Sequence, residues 1–334
     1  MTTRIYLDHA ATTPMRPEAI AAVAEGMARW ANPSSPHAEG RAARRALEDA
    51  RACIASALGW DGEVILTSGA SEALAIALRG HDAVASSVEH DAVLRVVEGE
   101  RVPVGADGLI ELAALPDGRR VAVQSANSET GVLQPLAEVA ALGGVLVADC
   151  SQSAGKLPLP PADLIVVSAH KLGGPPGIGA LLVRDFALLT PTGGQEQGYR
   201  GGTENLPGAL GFAAALEAPR DWFERAAVLR ADLDARIRAG GGEIVADASP
   251  RIATIAAYRL PGRSAAAQLM RLDSAGFAVS AGSACSSGTL KTSHVLSAMG
   301  MDTKAASEVI RVSFGWNTTA AEIDAFAAAW SAMA

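Results

Sequence analysis

The stretch LIVVSAHKLGGPPGIGALLV, residues 164–183, sets a lysine, Lys171, at the end of a run apolar enough to be a buried strand. An amine held where burial lowers its pKa is a nucleophile toward carbonyl groups and a candidate Schiff-base former. The ordinary alternative is a lysine that ends a strand with its ammonium in water. The glycines behind it permit tight turns and close backbone approach. Their spacing fits neither GxGxxG nor GxxxxGK[ST], which argues against nucleotide binding through those motifs. At the other end of the chain, AGSACSSG holds Cys285 among Ala, Gly and Ser, with no bulky neighbour to bury its thiol.

The elements that must position Lys171 are legible as apolar runs. EVILTSG, AVASSVEH, RVAVQSAN, VLVADCSQ, LIVVSAHK and ALLVR alternate with turns or alanine-rich helical stretches between about residues 60 and 185. Near-continuous apolar runs indicate strands covered on both faces, as in a mostly parallel α/β sheet. Ligands of such sheets bind outside the carboxyl ends of the strands. Those ends read Ser68 and Gly69, His90, Asn127 and Ser128, Asp149 and Gln152, then Ser168, His170 and Lys171. Five successive polar ends point to one shared site. Asp149 supplies the acidic partner that a pyridoxal Schiff base needs to keep its ring nitrogen protonated. Gly69, Ala70 and Ser71 open a helix, whose free N–H groups and dipole favour a phosphate.

Other segments read as scaffold. NPSSPHAEG enters a long helix with Ser35 as its cap and Pro36 in its first turn. Cys53, on that helix, reads as a small buried hydrophobe, and Cys150 as packed at the end of its run. After residue 206 a helical stretch with a break at Pro219 precedes a second, smaller unit that returns to strands.

Of 334 residues, 49% are hydrophobic and 19% charged, which is core-forming material rather than a disordered composition. A net charge of −8 without a basic run argues against nucleic acid or an anionic membrane as partner. No apolar run approaches a membrane span, and MTTRIYLDHAATTP lacks a secretory core. Three scattered cysteines make no disulfide framework and no metal pair. The expected location is the cytoplasm.

In order, YLDHAATTP, NPSSPHAEG, TSGASE, VEHDAV, NSETGVLQP, ADCSQSAGK, SAHKLGGPPGIGAL, GGQEQGYRGGTEN, SAGSACSSG and IRVSFG resemble the motif set of the pyridoxal-phosphate-dependent cysteine desulfurases, which are class V aminotransferase-like enzymes serving iron–sulfur cluster assembly. The resemblance implies a pyridoxal-phosphate fold of type I. A large domain, residues 1–217, would hold the mostly parallel sheet, with the segment up to Thr12 packing on the other unit. A small α+β domain, residues 218–334, would carry the cysteine loop. It also implies that Lys171 carries the cofactor and moves the proton at Cα. Asp149 would meet the ring nitrogen, His90 the ring face, and Gln152 the ring hydroxyl. Ala70, Ser71, Ser168 and His170 would hold the phosphate, and Thr203 would reach it across a homodimer interface. Arg311 would bind the carboxylate of L-cysteine, with Asn32 and His37 helping to close the pocket. Cys285 would take the sulfur as a persulfide and pass it to an acceptor protein. A selenocysteine lyase or another lyase of the group is the alternative. The family usually has a second asparagine where this chain has Ser128, so the ring contact falls to Ser128 or Asn127. The sequence closes at Ala334 without the extended tail that some members use to dock a scaffold, which leaves the acceptor open.

Overall fold

The computed structural model describes residues 4–282 and 292–333. A short strand, β1 (Ile5–Tyr6), is followed by helices α1 (Pro17–Ala28) and α2 (Ala38–Leu58). Then come β2 (Glu63–Thr67), α3 (Ala70–Leu78), β3 (Ala83–Ser86), α4 (Asp91–Leu94), β4 (Arg101–Val102), β5 (Arg120–Gln124), α5 (Leu136–Ala141), β6 (Val145–Asp149), β7 (Leu164–Ser168) and β8 (Gly179–Val183).

The six apolar runs are β2, β3, β5, β6, β7 and β8. With β4 at the edge they form a seven-stranded sheet in the order β2-β8-β7-β6-β5-β3-β4. From β7 to β4 all neighbours are parallel, while β8 runs against both β7 and β2. The absence of alternation has a direct cause. Ile165 and Val167 join the core beneath α2, whereas Leu164 and Val166 join the core beneath α3 on the opposite face. Successive side chains point to opposite faces, so a strand covered on both must be apolar at every position. Each such Leu, Ile or Val contributes roughly 1.5–3 kcal/mol on burial.

Two local expectations are corrected. Helix α2 starts at Ala38 and its cap is His37, whose Nδ1 accepts the Gly40 N–H at 3.2 Å. Ser35 lies instead in a turn, donating its N–H to the Asn32 carbonyl at 3.0 Å. Cys53 is half-buried rather than enclosed, while Cys150 is fully buried.

The chain then crosses to its second core. Helix α6 (Leu206–Glu217) sends Leu206, Phe212 and Leu216 into the core shared with α2. Helix α7 (Trp222–Ala239) sends Trp222, Leu233 and Ile237 into a separate one. The handover occupies the short connection that holds Pro219. Beyond it lie β9 (Glu243–Ile244), β10 (Ile255–Arg259), α8 (Ala265–Ser274), β11 (Phe277–Ala278), α9 (His294–Ala298), α10 (Thr303–Ala306), β12 (Val309–Ser313) and α11 (Ala320–Ser331). Strands β12, β10 and β9 make an antiparallel sheet, on whose core α7 and α11 also pack.

The N-terminal segment belongs to both halves. Strand β1 pairs with β11, Leu7 is wholly buried in the second core, and the Leu7 carbonyl accepts the Ser313 N–H at 2.8 Å. Gly315 lies so close to His9 that a Cβ there would sit 2.0 Å from His9 Nδ1, so only glycine fits. A few residues on, Thr13 donates its N–H to the His170 carbonyl of the large sheet at 2.9 Å. The segment is a strap between β12 and the end of β7.

Candidate active site

The carboxyl ends of the large sheet open into a cavity of about 740 Å³, walled on its far side by the strap and by β12. Lys171 enters from the short turn after β7. Its Nζ donates to the carbonyls of Ala10 and Ala11 at 2.6 and 2.8 Å, both on the strap. Burial lowers its pKa to about 8. The Arg311 charge pushes the same way, and Asp149 and Asp8 oppose it. The amine is thereby kept largely ready to lose its proton near neutrality.

Asp149 ends β6, beside β7 in the sheet, so its carboxylate and Lys171 share a wall of the cavity. Its Oδ1 accepts the N–H and hydroxyl of Ser151 at 2.9 and 2.5 Å. One residue further, Gln152 donates Nε2 to the Ala10 carbonyl at 3.0 Å, and its buried Oε1 has no partner among the described residues. His90 caps α4, its Nδ1 accepting the Ala92 N–H at 3.1 Å, which leaves the ring proton on Nε2. Its neighbour Glu89 is fully buried and has its pKa raised well above the carboxylate range by burial, with Asp149 adding to the effect.

Helix α3 points its first turn into the same cavity, where Gly69, Ala70 and Ser71 lie. Those N–H groups have no carbonyl of a preceding turn to meet. Gly69 makes the entry possible with φ 146° and ψ −177°, a conformation that side chains rarely allow. Glu72, also in this turn, is paired with Arg200 Nε at 3.1 Å, so its charge is offset. Ser168 and His170 complete this side. His170 Nδ1 is 3.1 Å from Thr12 Oγ1, and burial lowers its pKa to about 4, with the Lys171 charge adding to the effect.

Arg311, in the middle of β12, faces this wall across the cavity. Its Nη2 donates to Asp8 Oδ1 and its Nη1 to the Ser128 carbonyl, both at 2.8 Å. Ser128 and Asn127 share a turn that gives them different tasks. Asn127 Oδ1 accepts the N–H groups of Glu129 and Thr130 at 2.9 Å, and its Nδ2 donates to the Val88 carbonyl at 3.1 Å. Asn127 is consumed in holding the turn, and Ser128 lines the cavity.

Asn32, His37 and Thr203 do not line the cavity of this chain. Asn32 Oδ1 accepts the Ser34 N–H at 2.8 Å, while His37 is occupied as a helix cap. Both sit beside the loop of Thr203, since Ser34 Oγ meets Gln195 Oε1 at 3.3 Å and Arg44 joins the Pro33 carbonyl to the Glu204 carboxylate. Cys285 lies outside the described residues.

Residue types alone gave no signal for several members of the site. The Ala10 and Ala11 carbonyls act through backbone only. Asp8, Glu129 and His294 line the cavity and sit inside or beside motifs whose other residues carry the more obvious chemistry.

The family model for aminotransferase class-V matches residues 5–326. An IscS-like cysteine desulfurase of Mycobacterium tuberculosis is 38% identical, over 96% of this chain and 93% of that protein. The X-ray structure of a NifS-like protein from Rickettsia africae ESF-5 superposes with a TM-score of 0.90 at 28% identity, covering 99% of both chains. A structure described as SspA in complex with cysteine gives 0.82 at 26% identity, over 95% of this chain and 100% of the other.

Proposed function

This chain belongs to the aminotransferase class-V family and is a pyridoxal-phosphate-dependent cysteine desulfurase, and on that premise we propose how its residues divide the work. The observation that carries the proposal is that Lys171, Asp149 and Arg311 open on one cavity, with an amine of lowered pKa facing a guanidinium.

The residues present fit the cofactor. Lys171 offers the amine, Asp149 a carboxylate for the ring nitrogen, Gln152 a buried oxygen with no partner among the described residues for the ring hydroxyl, and the first turn of α3 a cradle for the phosphate. His90, which also lines the cavity, would cover the ring. When bound, the cofactor supplies an electron sink for the bonds at the substrate Cα. Lys171, whose Nζ rests on the Ala10 and Ala11 carbonyls, would hold it and would move the proton at Cα. Arg311 receives the L-cysteine carboxylate through its planar fork. The Cys285 thiolate attacks the substrate sulfur. The carbon–sulfur bond breaks with its electron pair left to carbon, which takes up a proton to become alanine, and Cys285 keeps the sulfur as a persulfide.

A homodimer with Thr203 completing the phosphate site of the other copy is part of the proposal. It is supported by the placement of Asn32, His37 and Thr203 on one outward surface. Trp30, 80% exposed, and Met27, 67% exposed, lie just before Asn32 in the chain. Such apolar exposure accords with a covered face. The sulfur then passes to an acceptor protein for iron–sulfur cluster or related synthesis, in the cytoplasm. The test is chemical balance: L-cysteine and a reductant should yield sulfide and alanine in equal amounts. Cys285→Ser should abolish sulfide while the cofactor absorbance persists. Intact enzyme that releases no sulfide would refute the assignment, and undiminished turnover of Cys285→Ser on another amino acid would favour a different lyase.

A further inference from the structure

The Arg311 guanidinium, assigned above to the substrate carboxylate, already has a carboxylate. Its Nη2 donates to Asp8 Oδ1 at 2.8 Å, and the two side chains are 10% and 21% exposed. Its Nη1 donates to the Ser128 carbonyl, and its buried Nε has no partner among the described residues. Asp8 and Arg311 both line the cavity.

Arg311 is aimed without help from Asp8. Strand β12 pairs Arg311 with Ala257 on one side. On the other, its N–H donates to the Ser280 carbonyl at 2.6 Å, and the Ser280 N–H returns a bond at 3.2 Å. The Ser128 carbonyl steadies the tip of the side chain. Asp8 is held just as firmly by its own backbone. Its carbonyl accepts the Ala11 N–H at 3.0 Å and the Tyr6 hydroxyl at 3.1 Å, and its neighbour Leu7 is bonded to Ser313. The strap therefore delivers the Asp8 carboxylate onto a cation that is already oriented, and what Asp8 adds is charge.

We propose, on the basis that Arg311 is the carboxylate receptor, that Asp8 is a resident carboxylate on Arg311 that competes with the α-carboxylate of the incoming amino acid and so sets the affinity of the site for substrate and product. A buried cation stripped of its partner attracts an outside anion more strongly. Two carboxylates near one guanidinium repel each other, so each amino acid entering must share the fork with Asp8 or displace it. The Arg311 Nε, which has no partner among the described residues, supplies the second donor that a bidentate carboxylate requires. Because the competition falls on alanine as on cysteine, it also loosens product.

The experiment titrates L-alanine, and separately cysteamine, which lacks the carboxylate, into holoenzyme while following cofactor absorbance. Wild type, Asp8→Asn, Asp8→Ser and Arg311→Gln are compared. Asn keeps the shape and an acceptor for Nη2 while losing the charge, and Ser guards against an effect peculiar to the amide. Both Asp8 variants should bind L-alanine about three- to tenfold tighter, with cysteamine unchanged. Arg311→Gln should weaken L-alanine alone. If the Asp8 variants bind L-alanine no better than wild type while Arg311→Gln weakens it, Asp8 is no competitor and the proposal falls. If Arg311→Gln binds L-alanine as wild type does, Arg311 is not the carboxylate receptor, and the role of Asp8 falls with that assignment.

Discussion

The two walls of the cavity are built in different ways. On the sheet wall, Asp149, Gln152, His170 and Lys171 lie at or just beyond the ends of their strands, so each is placed by the strand that precedes it. On the facing wall, Asp8 and Arg311 meet across a sequence separation of 303 residues, through a strap that touches both halves of the molecule. The sheet wall inherits its rigidity from a core buried on both faces. The strap wall depends on a handful of specific hydrogen bonds. Changes to the first should therefore disable chemistry with little loss of stability, and changes to the hydrogen bonds that hold the strap in place should loosen substrate and fold together.

The largest effect is expected at Lys171. Lys171→Ala removes both the covalent anchor and the proton carrier, and sulfide release should fall by about a thousandfold or more. Thermal unfolding of the apo protein should stay within a few degrees of wild type or rise, because a buried amine has been removed. A large fall in stability would break the contrast between the walls. Asp149→Asn should cost on the order of a hundredfold in kcat, because the ring nitrogen loses the charge that keeps it protonated. The altered cofactor absorbance is the check.

A pH experiment sharpens the electrostatic side of the comparison. With its pKa lowered to about 8, Lys171 is protonated below that value and neutral above it. Covalent cofactor attachment to apo protein should slow about tenfold per pH unit well below 8 and level off above it. A profile that rises only near 10.5 would mean the cavity does not lower the amine pKa. The linked stability effect has the same sign. The lowered pKa disfavours the folded apo protein at low pH, and this cost fades as pH rises from about 8 through the unfolded value.

The smallest effect belongs to the strap. Ser313 Oγ accepts the buried Ala10 N–H at 2.8 Å, close to the carbonyls that hold Lys171. Ser313→Ala leaves that N–H without a partner and should cost about 1–3 kcal/mol in denaturant unfolding. KM for cysteine should rise proportionally more than kcat falls. The opposite split, with kcat lost and stability unchanged, would show that the strap acts on chemistry rather than on position.

How much of this is visible in the residues varies with what places them. The apolar runs report their own burial, and Lys171, Asp149 and Gln152 can be read as neighbours because consecutive strands pair. The start of α2 is misleading because Ser35 and Pro36 make a plausible cap. The fold instead closes a turn at Asn32 and lets a histidine nitrogen take the Gly40 N–H. Asn32 and His37 carry a motif resemblance but no address. Their position beside the Thr203 loop follows from Ser34 meeting Gln195 and Arg44 of α2 meeting Glu204, which no local pattern encodes. Asp8 sits inside YLDHAATTP with no visible role, since an aspartate near a chain start gives no hint of its partner.

By itself the sequence determined the α/β class, the polar strand ends and the chemistry of Lys171, because strand periodicity and side-chain type are local properties. Tertiary structure alone decided that Asn127 braces a turn while Ser128 faces the cavity, and that Arg311 meets Asp8. It also decided that Lys171 rests on two alanine carbonyls. Those outcomes depend on backbone groups common to every residue and on contacts between distant segments. Only the folded packing of the strap between two cores selects among them.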